Sequence, residues 1–179
     1  GAVVLLFGGR RTNAWGPILG VLTVSASAVL GWIMLVSMLQ NSAEQRTFVH
    51  PFDDLDVIAG QGTVGLELLE QVPDLGTVYV PMGGGGLIAG VSAAIKLSRP
   101  AVRVVGVEPV GAMKMRAARD AGQPVTLEKT ASIGDGIMNM RAGDITFAHV
   151  QQYVDDLVAV PDEAMARAVA WLFRHARIV

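Results

Sequence analysis

Cysteine is absent from the 179 residues, which excludes a disulfide framework and any thiolate metal site. That absence fits a cytoplasmic protein. Lysine is scarce: Lys96, Lys114 and Lys129 are the only three, so chemistry that needs an amine has three candidates. The formal charge is −2, which provides no basic footprint for nucleic acid. No Gly-Lys-Ser/Thr follows any glycine run, so a Walker A loop is excluded. His50, His149 and His175 lack the spacing of metal ligands, and no metal is expected.

What is present is apolar, at 51% hydrophobic residues, and the chain divides near residue 47. From Ile18 to Leu39 no residue is charged, and Arg10 and Arg11 precede the run. Roughly 20 apolar residues span a bilayer as a helix, so this stretch is a membrane-span candidate as well as a buried soluble helix. Gly1 to Leu6 reads as a buried strand already under way, and Arg177-Ile178-Val179 falls inside an apolar run. Both ends are expected to be cuts from a longer parent.

The second part alternates in the rhythm of an α/β protein. Val57, Val64, Leu68 and Leu69 keep helical spacing over 56–72, with Asp56 as the expected N-cap and Pro73 as the stop. Residues 77–82 and 102–107 read as short apolar strands separated by a helix over 87–98. Near-continuous apolar strands predict a parallel sheet covered on both faces. Beyond it, helices are expected over 111–121 and 146–154, with a turn or short strand over 133–138. A strand is expected over 157–160, and a last helix starts at Pro161.

The chemistry concentrates at Gly83-Gly84-Gly85-Gly86, between the first strand and its helix. Without Cβ atoms, consecutive amides approach one group closely, and the helix that follows adds free N–H groups and the positive end of its dipole. A phosphate has enough oxygens to accept from all of them. Two phosphate ligands remain open at this point. Residues 84–89 also satisfy G-x-G-x-x-A, and Glu108 closes the next strand near where a ribose-binding acid belongs in a dinucleotide site. Elsewhere, Asp53, Asp54 and Asp56 read as a solvated turn with an N-cap, and so do Asp155 and Asp156. His50 reads as a loop residue, and Met113, Met115, Met138 and Met140 as packing.

A set of segments separates the two ligands. They are Phe48-Val49-His50-Pro51-Phe52-Asp53-Asp54, Gly60-Gln61-Gly62-Thr63, the tetraglycine with Leu87-Ile88-Ala89-Gly90, Gly106-Val107-Glu108-Pro109, and Gly134-Asp135-Gly136. In this order they resemble the threonine dehydratase (threonine ammonia-lyase) and serine racemase family of fold-type-II pyridoxal-phosphate enzymes, over about residues 48–179. The resemblance implies part of the tryptophan-synthase-β-like α/β fold, a parallel sheet flanked by helices. It implies pyridoxal 5′-phosphate as cofactor, with Gly83, Gly84, Gly85 and Gly86 on the phosphate, the Leu87 amide beside them, and Gly136 by the ring. It further implies an amino-acid substrate, threonine or serine, lost as a 2-oxo acid and ammonia, and a homo-oligomeric parent. Residues 51–179 would be the central part of the large cofactor domain and residues 1–50 a remnant of the small one.

Departures narrow that expectation. The family's Schiff-base lysine belongs to a motif that none of Lys96, Lys114 and Lys129 shares, so no catalytic residue is assigned in this chain. Some relatives hold a divalent cation by the Glu-Pro segment. Glu108 and the Ala112 carbonyl match it, but Lys114 stands where a second acid is needed. Residues 7–46 are atypical and apolar where the family has a polar helix, as if translated out of frame or drawn from a damaged gene. Reading the coding DNA in its other two frames tests this, and the idea fails if neither restores an amphipathic helix.

Overall fold

The computed structural model describes residues 49–177. The expectations for Gly1–Leu6, for the span Ile18–Leu39 and for residues 7–46 lie outside the described residues. Among the described residues, no helix is long and apolar enough to cross a membrane.

Helix α1 (Leu55–Gln71) is followed by strand β1 (Thr77–Pro81), helix α2 (Gly86–Ser98) and strand β2 (Arg103–Pro109). A 3-10 turn at Val110–Ala112 leads into α3 (Lys114–Ala121), and another at Asp135–Ile137 precedes α4 (Asp144–Tyr153). Strand β3 (Asp156–Val160) and helix α5 (Asp162–His175) complete the order. The three strands form one parallel sheet in the order β1-β2-β3, with Val80 opposite Gly106 and Gly106 opposite Leu157. The expected α/β architecture is therefore present, and each parallel pair is joined through helices as parallel pairing requires.

Three local expectations are corrected. The N-cap of α1 is Asp54, whose carboxylate accepts from the amides of Asp56 and Val57, because Asp56 already lies within the first turn. The stretch 111–121 is not one helix: the backbone at Met113, with ψ 53°, breaks it into a 3-10 turn and α3. The sheet is not covered evenly. The central β2 is nearly all buried, whereas β1 is an edge strand with Tyr79 67% exposed.

The core lies between β2 and α2, where Ile88, Val91, Ile95 and Val104 are fully buried or nearly so. Helix α2 is pressed on its other side by α1. A Cβ on Gly90 would stand 2.2 Å from the Ile58 carbonyl oxygen, and one on Gly65 2.8 Å from that of Val91. The second glycine of the Gly-Gln-Gly-Thr segment, Gly62, faces Gly90 in the same crossing. The contact is backbone on backbone, so no side chain can yield to a methyl group. Gly90→Ala is expected to destabilise the chain by about 1–3 kcal/mol, read by urea denaturation, as overpacking of a close contact does.

Candidate functional site

Strand β1 delivers the chain to the tetraglycine segment. The Met82 amide still bonds the Val107 carbonyl at 2.9 Å, so the loop departs from the C-terminal end of the β1–β2 pairing. Gly85 then takes φ +105° as the N-cap of α2, a left-handed conformation that favours glycine. The first amide to bond back along α2 is that of Ala89, to the Gly85 carbonyl at 2.9 Å. Among the described residues, the N–H groups of Gly83, Gly84, Gly85, Gly86 and Leu87 donate to no protein acceptor. Gly84, Gly85 and Gly86 are nevertheless buried. Buried donors without acceptors cost free energy, so this row of amides is suited to an anion with several oxygens.

The loop is held by residues to which the sequence assigned no part in the site. The Phe52 ring lies against Gly84, where a Cβ would come within 2.3 Å of the ring. The backbone of Phe52 lies 3.0 Å from where a Cβ on Gly86 would stand. His50 sets this segment: its Nδ1 accepts from the Asp53 amide at 2.9 Å, and its ring meets Phe52 edge-on at 4.5 Å. The Gly84 carbonyl accepts from the Thr146 hydroxyl at 2.7 Å and from the Gly143 amide at 3.2 Å. Asp53 in turn accepts from the amides of Asp144, Ile145 and Thr146 at 2.9–3.0 Å, capping α4 across a separation of more than 90 residues. Asp53 is thus a cap for a distant helix, which corrects its reading as part of a solvated turn.

The Asp-Gly turn reaches the same place. The carbonyl oxygen of Gly136 would be 3.6 Å from a Cβ on Gly83, and the Asn139 side-chain oxygen 2.8 Å from it. A Cβ on Gly136 itself would touch nothing within 4 Å. The structure therefore brings together Gly83, Gly84, Gly85, Gly86, Leu87 and Gly136, with Asn139 added.

Other candidates lie elsewhere. Glu108 is 1% exposed, and its two oxygens accept from the amides of Met115 at 2.8 Å and Arg116 at 3.0 Å. Its carboxylate is spent inside the fold and does not reach outward to a ribose, which corrects the dinucleotide reading. Asp155 and Asp156 are not a free acidic turn either. Asp155 pairs with Lys96 at 2.8 Å and accepts from the Val104 amide at 2.7 Å, while Asp156 pairs with Arg103 at 2.9 Å. Partial burial opposes ionisation of Asp155, but Lys96, the Val104 amide and Arg103 outweigh it and hold its pKa below the ordinary carboxylate value. His149 bonds the Ile145 carbonyl within α4, and His175 stacks on Trp171 in α5.

The chain is similar to known proteins over most of its length. Residues 30–179 match the family of pyridoxal-phosphate dependent enzymes. The L-threonine ammonia-lyase of Thermotoga maritima is 48% identical over 132 residues, covering 74% of this chain and 33% of the relative. Among solved structures, maize serine racemase superposes with a TM-score of 0.70 at 41% identity, covering 73% of this chain and 41% of that one. The processed threonine deaminase isoform 2 of Solanum lycopersicum gives a TM-score of 0.73 at 37% identity, covering 74% and 39%. The chain spans about a third of the length of the Thermotoga relative.

Proposed function

The chain belongs to the pyridoxal-phosphate dependent enzyme family, and from that premise we propose that it carries the cofactor's phosphate cradle in a protein that deaminates L-threonine or L-serine. The observation that supports this most is the row of amides from Gly83 to Leu87, which donate to no acceptor among the described residues, with Gly84, Gly85 and Gly86 buried. Their number suits a phosphate dianion, and the absent Cβ atoms let it approach. Gly136, facing the same loop, is assigned to the side of the cofactor ring. When bound, the cofactor supplies the electron sink that lets a substrate lose its α-proton and β-hydroxyl, giving from threonine 2-oxobutanoate and ammonia.

The chain's own residues bind and orient. Phe52 packs against Gly84 and Gly86 and braces the loop. Thr146 and Gly143 fix the Gly84 carbonyl, so the amides on the other side of those peptides keep their direction. No lysine of this chain is assigned to the cofactor's carbonyl carbon. Lys96 is paired with Asp155, Lys114 is bonded to backbone carbonyls, and Lys129 lies on the surface. In this reading residues 51–179 are the central part of a large cofactor domain, and residues 1–50 a remnant of a smaller one. The intact parent is a cytoplasmic homo-oligomer.

Equilibrium dialysis against pyridoxal phosphate, pyridoxal and nicotinamide adenine dinucleotide tests the assignment. Pyridoxal phosphate is expected to bind on the order of tenfold or more tighter than pyridoxal, through charge-assisted bonds that only the phosphate makes. The dinucleotide is expected not to compete. Borohydride treatment should leave no cofactor fixed to the chain. Equal affinity for pyridoxal and its phosphate would sink the phosphate reading, and covalent fixation would overturn the assignment of no lysine.

A further inference from the structure

Lys114 is the largest fully buried side chain among the described residues, and the scheme above gives it no part. It opens α3, six residues after Glu108 at the end of β2, and is 0% exposed. Its ammonium donates to three backbone carbonyls: Met82 at 2.7 Å, Ile137 at 3.0 Å and Ala112 at 3.2 Å. An ammonium has three N–H groups, so its capacity is filled. A Glu108 oxygen stands 3.4 Å away and supplies the countercharge. Three carbonyls and a carboxylate turned toward one point are the donor set that a hard cation takes. Without positive charge there, those dipoles would repel one another.

The identity of the carbonyls gives the cage its meaning. Met82 is the last residue before the tetraglycine loop, Ile137 follows Gly136, and Ala112 ends the 3-10 turn beneath them. We propose that Lys114 is a positioning residue, a cation built into the chain that ties the glycine loop to the Asp-Gly turn and so fixes both sides of the cofactor cradle. The cage stands on the geometry of the structure alone; its effect on the cofactor rests on the proposed phosphate site.

Lys114→Ala opens the cage and Lys114→Met fills it without charge. Pyridoxal phosphate is expected to bind both variants on the order of tenfold more weakly than the parent chain, in the range that loss of an orienting partner causes at a bound group. Affinity for pyridoxal should change little. Methylammonium chloride or magnesium chloride should restore phosphate-dependent affinity in the alanine variant, and should act on neither the methionine variant nor the parent chain. Thermal melting without cofactor should follow the same pattern, with the midpoint raised by either salt in the alanine variant alone. Unchanged pyridoxal phosphate affinity in both variants, or an alanine variant whose melting ignores both cations, overturns the proposal. Should the single variants fail to fold, Glu108→Gln combined with Lys114→Met removes both charges and carries the affinity comparison, with parent-like affinity as the refuting result. If the parent chain itself shows no preference for the phosphate, the phosphate reading fails while the melting experiment still decides the cage.

Discussion

Gly85→Ala is expected to abolish saturable binding of pyridoxal phosphate. Two independent causes act at this position. Its φ of +105° is one that a side-chain-bearing residue rarely adopts, at a cost of about 1–2 kcal/mol. A Cβ there would also stand 2.8 Å from the Thr146 hydroxyl oxygen and 2.9 Å from the Met115 methyl carbon. Relief requires moving either the loop or the start of α4, and both movements disturb the row of loop amides. Gly60→Ala is the matched control, because a Cβ there meets nothing within 4 Å and the residue lies within a helix. That variant should keep its affinity and gain up to about 1 kcal/mol of stability. Equilibrium dialysis and urea denaturation of the two variants read both halves of the comparison.

Glu108→Ala is expected to cost about 3–5 kcal/mol in stability, the loss typical when one partner of a buried ion pair is removed. The carboxylate balances Lys114 at 3.4 Å and accepts from two amides at the start of α3, so a buried cation and two donors lose it at once. Glu108→Gln keeps an acceptor and should cost less. The pH dependence has a definite sign. Burial pulls the Lys114 ammonium below its ordinary 10.5, and Glu108 opposes that pull. Without Glu108 the depression deepens. Between the lowered value and 10.5 the unfolded chain binds the proton more readily than the folded one, so stability rises with pH there. The alanine variant should therefore recover part of its loss as pH rises toward 10.5. Denaturation midpoints that fall with pH across that window in the variant, after subtraction of the parent's profile, would contradict the pairing.

Much of this site was legible because its parts are local. Four glycines between a β-branched strand and a small-residue helix report a strand–loop–helix turn by composition, and the strand, helix, strand order followed from periodicity. The parts that depend on distant segments were not legible. Lys114 read as a misplaced residue where an acid was wanted, since nothing in the sequence tells that carbonyls 32 and 23 residues away converge on its ammonium. Asp53 read as one of three acids in a turn, although it caps a helix more than 90 residues on. Phe52 and Thr146 gave no signal of their own; only the space that missing Cβ atoms leave at Gly84, Gly85 and Gly86 shows why they sit there. The edge exposure of β1 also escaped, because an apolar run looks alike in a central strand and at an edge.

The most direct measurement is the response of the loop amides themselves. Nitrogen–proton correlation spectra of the labelled chain, titrated with pyridoxal phosphate and in parallel with pyridoxal, follow each N–H separately. The account predicts that the amides of Gly83, Gly84, Gly85, Gly86 and Leu87 shift downfield together with the phosphate ester and stay nearly unmoved with pyridoxal. Phosphate-dependent shifts confined to other residues, or loop amides that respond equally to both compounds, would contradict it.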